Sequence, residues 1–195
     1  MFILFGCSRN VFYGHEKNYV MDKSHIQGLI KNYPDFPKQG ILFRDLTPVF
    51  RDSHSLALLG EYFYEKLKKT NINYIAGIEA RGFILSTILG LKFNLGVIMI
   101  RKAGKLPGNT VKQTYEIEYG NAIMELQSES IKKNEDILIA DDLLATGGTA
   151  LAAAKLIEEL GGNVIGFAFV VELSSLGGGR LLREKGYSVH SMVIY

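Results

Sequence analysis

The sequence predicts an α/β protein with a mainly parallel central sheet flanked by helices, and three observations carry that prediction. Four segments, Tyr74–Ile78, Gly96–Ile100, Ile137–Ala140 and Val164–Val171, are apolar without alternation, as parallel strands covered on both faces require. Helix-period segments lie between them, the order that βαβ units produce. Charged or glycine-rich turns follow the strand ends, where open α/β sheets place their ligands.

Taken in order, Asp22 or Ser24 caps a short helix through Ile26, Leu29 and Ile30, and Pro34 and Pro37 end it. Residues 33–50, YPDFPKQGILFRDLTPVF, are dense in proline and aromatics without a clean period. From composition they read as a surface loop with an aromatic anchor. Residues 53–69 form a helix with Leu56, Leu59, Phe63 and Leu67 on one face. The strand 74–78 leads through Glu79-Ala80-Arg81-Gly82 into an apolar helix, 83–93. The strand 96–100 ends in Arg101-Lys102-Ala103-Gly104-Lys105-Leu106-Pro107-Gly108. Residues 109–120 carry little hydrophobic periodicity and read as a mobile flap, and Ala122–Leu126 returns as a strand, so an antiparallel hairpin joins the sheet. After the strand 137–140 come Asp141 and Asp142, placed where that strand should end, then a glycine turn. Ala153, Leu156, Ile157 and Leu160 make a helix face that Gly161-Gly162 stops. The strand 164–171 ends at Glu172, Gly177-Gly178-Gly179 opens a short basic helix, and Tyr187–Ile194 closes the chain as a strand.

Composition bounds the function. With 195 residues, 47% of them apolar, the chain can bury a sizeable core in one domain. Its 22 basic and 20 acidic residues leave a net charge of +2, which gives no ground for nucleic-acid binding. No apolar run reaches the ~20 residues that span a membrane. The single cysteine, Cys7, excludes an internal disulfide and suits a reducing, cytoplasmic compartment. Residues 1–21 read as a peripheral extension, because Met21 opens a more ordinary start. Residues 22–195 form the single domain.

The chemistry concentrates at Asp141-Asp142-Leu143-Leu144-Ala145-Thr146-Gly147-Gly148-Thr149. Glycines let backbone N–H groups close on a phosphate, and the following helix adds about half a positive charge at its start. The two acids can hold sugar hydroxyls, so the stretch suits a ribose 5-phosphate. It lacks the Gly-Lys-Ser/Thr of a P-loop and the GxGxxG of dinucleotide folds. On spacing alone, an ordinary turn with a solvated acid pair explains it equally well. Arg81-Gly82 suits an anion, or else caps the sheet edge. The cations of 101–105 are either a ligand site or a solvated basic turn.

Four motifs in the same order decide between these readings by resemblance. DDLLATGGT is similar to the phosphoribosyl pyrophosphate signature of type I phosphoribosyltransferases. PDFPKQGILFRDLTP, EARG and RKAGKLPG resemble segments of the adenine-specific branch. Gln39, Ala80 and Ala103 depart from residues frequent there. The resemblance implies a type I phosphoribosyltransferase fold with a small amino-terminal hood, about 33–50, and a flexible flap, about 101–121. It implies transfer of ribose 5-phosphate from phosphoribosyl pyrophosphate to adenine, giving AMP and pyrophosphate in purine salvage. Ala145, Thr146, Gly147, Gly148 and Thr149 would hold the 5-phosphate, and Asp141 and Asp142 the ribose hydroxyls. Glu79, Ala80, Arg81, Arg101, Lys102 and Lys105 would surround the pyrophosphate. Mg²⁺ is the implied cofactor, held mainly through the substrate's phosphates with no dedicated set of protein ligands. Leu42, Phe43 and Arg44 would read the adenine edge, which needs a C=O and an N–H side by side, with Phe43 stacked on the ring and Leu143 on its opposite face. Glu118, in the Glu-Tyr-Gly of the flap beside Tyr119, is the implied proton-transfer residue. The resemblance further implies a cis Glu79–Ala80 peptide and a homodimer that buries part of the 83–93 helix or its flanking loops.

Overall fold

The structure, a computed structural model, describes residues 23–117 and 120–195. The amino-terminal extension therefore lies outside the described residues. The chain runs α1 (Lys23–Leu29), β1 (Lys31–Pro34), β2 (Leu42–Asp45), α2 (Thr47–Arg51), α3 (Ser53–Leu67), β3 (Tyr74–Ile78), α4 (Gly82–Phe93) and β4 (Gly96–Lys102). It continues through β5 (Thr110–Ile117), β6 (Gly120–Gln127), β7 (Asp136–Leu144), α5 (Gly148–Glu159), β8 (Asn163–Glu172), α6 (Gly178–Glu184) and β9 (Val189–Ile194). A single 3₁₀ turn, Ser174–Leu176, precedes α6.

Seven strands form one sheet in the order β5-β6-β4-β3-β7-β8-β9. β4, β3, β7, β8 and β9 are parallel neighbours, and the β5–β6 hairpin adds antiparallel to β4. In β7 and β8 the ungapped apolar run follows from cores on both faces, whereas β4 buries Ile98 and Ile100 and leaves Val97 and Met99 exposed, so the expectation of two covered faces is corrected there. Along β7, Leu138 and Ala140 enter one core while Ile137 and Ile139 enter the other; along β8, Ala168 and Val170 oppose Phe167 and Phe169. The first core is roofed by α1–α4, including Leu58, Leu59, Phe63, Leu85 and Leu89. The second is roofed by α5 and α6, including Ala153, Leu156, Ile157 and Leu182. Full burial of one such large side chain stabilises by about 1.5–3 kcal/mol.

Helix α3 starts where Asp52 accepts the Ser55 amide at 2.9 Å and the Ser55 hydroxyl at 2.7 Å. Its buried face includes Leu58 and Tyr62 beside Leu59, Phe63 and Leu67, whereas Leu56 sits at the margin. Helix α4 can begin against β7 because Gly82 has no side chain: a Cβ there would lie 2.8 Å from Ala140 O and from Asp141 Oδ1. Among the described residues no helix is long and apolar enough to cross a membrane.

Two segments are more ordered than their composition predicts. Residues 31–51 form a two-stranded antiparallel sheet, β1 with β2, followed by α2, not an irregular loop. The apolar period is missing because both strands are short, β1 exposed and β2 at most half-buried. Residues 110–117 are a strand paired along its length with β6. Its positions 111–115 do alternate in burial, but Gln113 occupies an inward position beside Val111 and Tyr115 and hides the pattern.

Candidate active site

Strand β7 continues through Leu144, so the acid pair lies inside a hydrogen-bonded ladder, with Asp141 opposite Phe169 and Leu143 opposite Val171 of β8. The expectation that the strand ends before the acids is corrected by that pairing. It also removes the reading of a solvated pair, since Asp142 is only 4% exposed. The Asp141 carboxylate accepts the Asp142 amide at 2.8 Å. Arg81 Nε lies 2.7 Å from Asp142 Oδ2, an ion pair by distance, but its N–H is not aimed as a hydrogen bond. Asp142 Oδ2 and Arg101 Nε are the buried side-chain atoms without a hydrogen-bond partner among the described residues. Burial, followed by the neighbouring Asp142 charge, pushes the Asp141 carboxyl well above the ordinary range. Burial also raises Asp142, with Arg81 opposing.

A cleft of about 350 Å³ opens here. Glu79, Ala80 and Arg81 line one side, and the β7 end from Asp141 through Gly147, with Thr149, lines the other. The loop turns at Gly147, whose φ of +89° is a left-handed conformation that favours glycine. Gly148 and Thr149 then begin the twelve-residue α5, so the first amides of that helix and their partial positive charge face the loop. Helix α6 supports the loop from behind: the Gly178 amide donates to Ala145 O at 3.0 Å. A Cβ at Gly178 would approach that oxygen to 2.3 Å.

The basic turn after β4 is tied to the same cleft. Arg101 donates from Nη2 to Glu79 Oε1 at 3.0 Å and from Nη1 to Lys105 O at 2.9 Å. The Lys102 amide donates to Glu79 Oε2 at 3.0 Å. The Arg101 hydrogen bond is the largest cause holding the Glu79 carboxyl below its ordinary value. The Glu79–Ala80 peptide is cis. The alternative of a wholly solvated turn therefore fails at Arg101, whereas Lys102 and Lys105 are exposed.

Residues 49–191 match the model of the phosphoribosyl transferase domain. The chain is 48% identical over 171 residues to the adenine phosphoribosyltransferase of Nitrosopumilus maritimus, covering 88% of this chain and 99% of that one. The crystal structure of adenine phosphoribosyltransferase from Thermoanaerobacter pseudethanolicus superposes with a TM-score of 0.84 at 38% identity, covering 89% of this chain and 99% of that one. The Saccharomyces cerevisiae adenine phosphoribosyltransferase, solved with an imino-altritol bisphosphate and adenine, superposes with a TM-score of 0.82 at 38% identity. It covers 87% of this chain and 97% of the yeast chain. The chain belongs to the adenine phosphoribosyltransferase family.

The type I phosphoribosyltransferase fold places the site residues unevenly. The cleft gathers the acid pair, Leu143, residues of the 145–149 loop and Glu79–Arg81, with Arg101 attached through Glu79. Leu42, Phe43 and Arg44 stand in the β1–β2 sheet and do not line it. The Arg44 guanidinium lies 3.8 Å over the Tyr195 ring, and within the segment Phe43 packs edge-on against Phe36. Glu118 and Tyr119 lie outside the described residues. Sequence reasoning missed Glu125, Glu172, Phe169 and Gly178. Phe169 lines the cleft beside the acids, and Gly178 was legible only as a helix start.

Proposed function

We propose that this chain is a pentosyltransferase acting in purine salvage. It moves the 5-phosphoribosyl group of phosphoribosyl pyrophosphate onto adenine, releasing pyrophosphate and forming AMP. The observation that carries this is one cleft in which an acid pair, half-buried Asp141 and buried Asp142, adjoins a glycine loop at a helix start and faces an arginine-bearing wall.

In this reading Ala145–Thr149 bind the 5-phosphate through backbone amides and the threonine hydroxyls. Asp141 and Asp142 accept from the ribose hydroxyls and place negative charge beside C1 as its bond to pyrophosphate breaks, where an oxocarbenium-like centre develops. Glu79, Ala80, Arg81, Arg101, Lys102 and Lys105 surround the leaving pyrophosphate. The purine nitrogen forms the new bond to C1, and Glu118 takes the proton the imidazole edge releases.

The residues present fit Mg²⁺. That ion takes oxygen donors, usually one or two carboxylates with substrate phosphates and water, and the Asp141 and Asp142 carboxylates in the cleft offer such donors once Arg81 gives up its ion pair with Asp142 Oδ2. When bound, Mg²⁺ neutralises charge on the departing pyrophosphate.

Adenine recognition is assigned to the hood. β2 pairs only with β1 among the described residues. Alternate residues of such a strand turn both N–H and C=O to the open edge, the donor–acceptor couple that adenine's N1 and N6 require. Asp45, at the end of β2, is held below its ordinary range by hydrogen bonds from Thr47. The protein acts as a homodimer in this reading. Ile84 and Leu91 of α4 and Val97 and Met99 of β4 are exposed apolar side chains, and Gly90 lets Val97 pack against α4. The single cysteine suits a cytoplasmic setting.

The test is pyrophosphate release with adenine, hypoxanthine, guanine and xanthine in parallel, with and without chelator. Turnover with adenine alone, abolished by chelation, is the expected result. Equal turnover of a 6-oxopurine, or full turnover in excess chelator, would refute the corresponding assignment.

A further inference from the structure

Glu125 is buried, 2% exposed, yet belongs to neither hydrophobic core. It sits on β6, in register with Arg101 of β4 on one side and Lys112 of β5 on the other. Its Oε1 accepts the backbone amides of Lys105 and Leu106, both at 2.9 Å. Its Oε2 lies 3.4 Å from the Thr110 hydroxyl and 4.0 Å from Lys112 Nζ. The turn between β4 and β5 thus wraps a carboxylate, with left-handed Gly104 (φ +83°) and Gly108 (φ +76°) supplying the bends. Successive amides converging on one anion form a concave nest. Here an internal side chain fills it, so the turn is shaped before any ligand arrives. These amide hydrogen bonds, Leu106 first, outweigh burial and hold the carboxyl below its ordinary range.

The consequence reaches Arg101. Its Nη1 donates to the carbonyl of Lys105, whose own amide Glu125 holds, while Nη2 donates to Glu79. The Lys105 carbonyl is in place only if the turn is. We propose that Glu125 is a positioning residue that sets the 102–108 turn, and through it Arg101 and Lys105, for the pyrophosphate half of the substrate. This rests on the functional reading above, in which those cations meet pyrophosphate. It assigns Glu125 no contact with the purine or the 5-phosphate, which lie on the β7–α5 side and at the hood.

That division gives the experiment. Calorimetric titration of the full chain with pyrophosphate plus MgCl₂, and separately with AMP, reads the two halves of the site. Glu125→Ala leaves at least two amides without their acceptor, so pyrophosphate affinity should fall tenfold or more while AMP affinity stays within twofold. Glu125→Gln keeps an acceptor oxygen for the amides and should restore pyrophosphate affinity to within about threefold of wild type. If Glu125→Ala fails to fold, Glu125→Asp, which keeps the charge but withdraws it from the amides, carries the same comparison with a threefold or greater loss. A folded variant that binds pyrophosphate like wild type, or loses both ligands equally, would overturn the role of Glu125. A wild type that binds neither ligand would instead overturn the functional reading beneath it.

Discussion

Replacing Asp141 with asparagine should stabilise the free protein and impair it as an enzyme. The cleft holds two carboxylates and, at 2.7 Å from Asp142, the Arg81 guanidinium. Arg81 answers Asp142, and Asp141 is left as the second anion in a crowded place. Burial and then the Asp142 charge raise its pKa well above the ordinary value. Asparagine retains the oxygen that accepts the Asp142 amide at 2.8 Å while removing the surplus charge. Relief of such a strained site is worth about 1 kcal/mol, or about 2–4 °C in melting temperature for a chain of this size. The sign with pH follows from linkage. A carboxyl with a raised folded-state pKa binds its proton more tightly when folded. Its contribution is therefore fully present below the unfolded pKa and is lost as pH rises through the folded pKa. The advantage of Asp141→Asn should then be near zero at pH 4, grow as pH rises through that window and level off above it. Function should move oppositely. Losing charged hydrogen bonds to the ribose removes about 1.5–3 kcal/mol, a fall in kcat/KM of roughly 10–150-fold. Melting curves of both proteins from pH 4 to 8.5, beside phosphoribosyl pyrophosphate kinetics, test this. A variant that is less stable at pH 7.5, or whose difference from wild type does not change with pH, would refute the account.

Glu118→Gln should lower turnover by about 10²–10⁴-fold at saturating substrates with AMP affinity and melting temperature unchanged, because general acid–base help has that size; near-wild-type turnover would remove Glu118 from the mechanism. Leu91→Arg places a charge on the exposed apolar face of α4 and should convert a dimer into a monomer in sedimentation equilibrium, and a wild type that is monomeric at every concentration would contradict the assembly.

The fold was legible wherever one segment reports its own surroundings. Ile137–Ala140 has no polar residue because both faces of β7 are covered, and that is visible in four letters. Gly147 declares a turn through what it lacks, whereas the close approach that Gly82 permits shows only in the structure. What could not be read is whatever depends on a distant partner. Residues 110–117 look polar because Gln113 interrupts the inward row of Val111 and Tyr115, and β6, the strand that fixes their register, comes only after the turn. The acid pair looks terminal because the strand that extends β7 past it, β8, lies some thirty residues further on. Glu125 and Glu172 look like ordinary carboxylates, since the turn and the helix they hold are remote or folded back upon them.

Those carboxylates also explain how a chain with a net charge of only +2 can serve a polyanionic substrate. Glu79 fixes Arg101 and the Lys102 amide. Glu125 fixes the amides of Lys105 and Leu106. Glu172, at the end of β8, accepts two bonds from Arg183 of α6, each 3.0 Å, and one from Ser191 at 2.7 Å. Burial raises the Glu172 carboxyl, but the bonds from Arg183 and Ser191 together outweigh it and keep it charged. That pairing seats α6 so closely that a Cβ at Gly179 would lie 1.8 Å from Glu172 Oε1, and it brings Gly178 against the Ala145–Gly147 turn. Each segment assigned to a phosphate group thus has a carboxylate fixing its geometry, buried at Glu125 and Glu172 and half-buried at Glu79. A charge held this way reorganises little when the ligand arrives, which favours binding more than additional mobile cations would. Affinity for the substrate then depends on how rigidly a few donors are aimed, and the net charge of the surface contributes little.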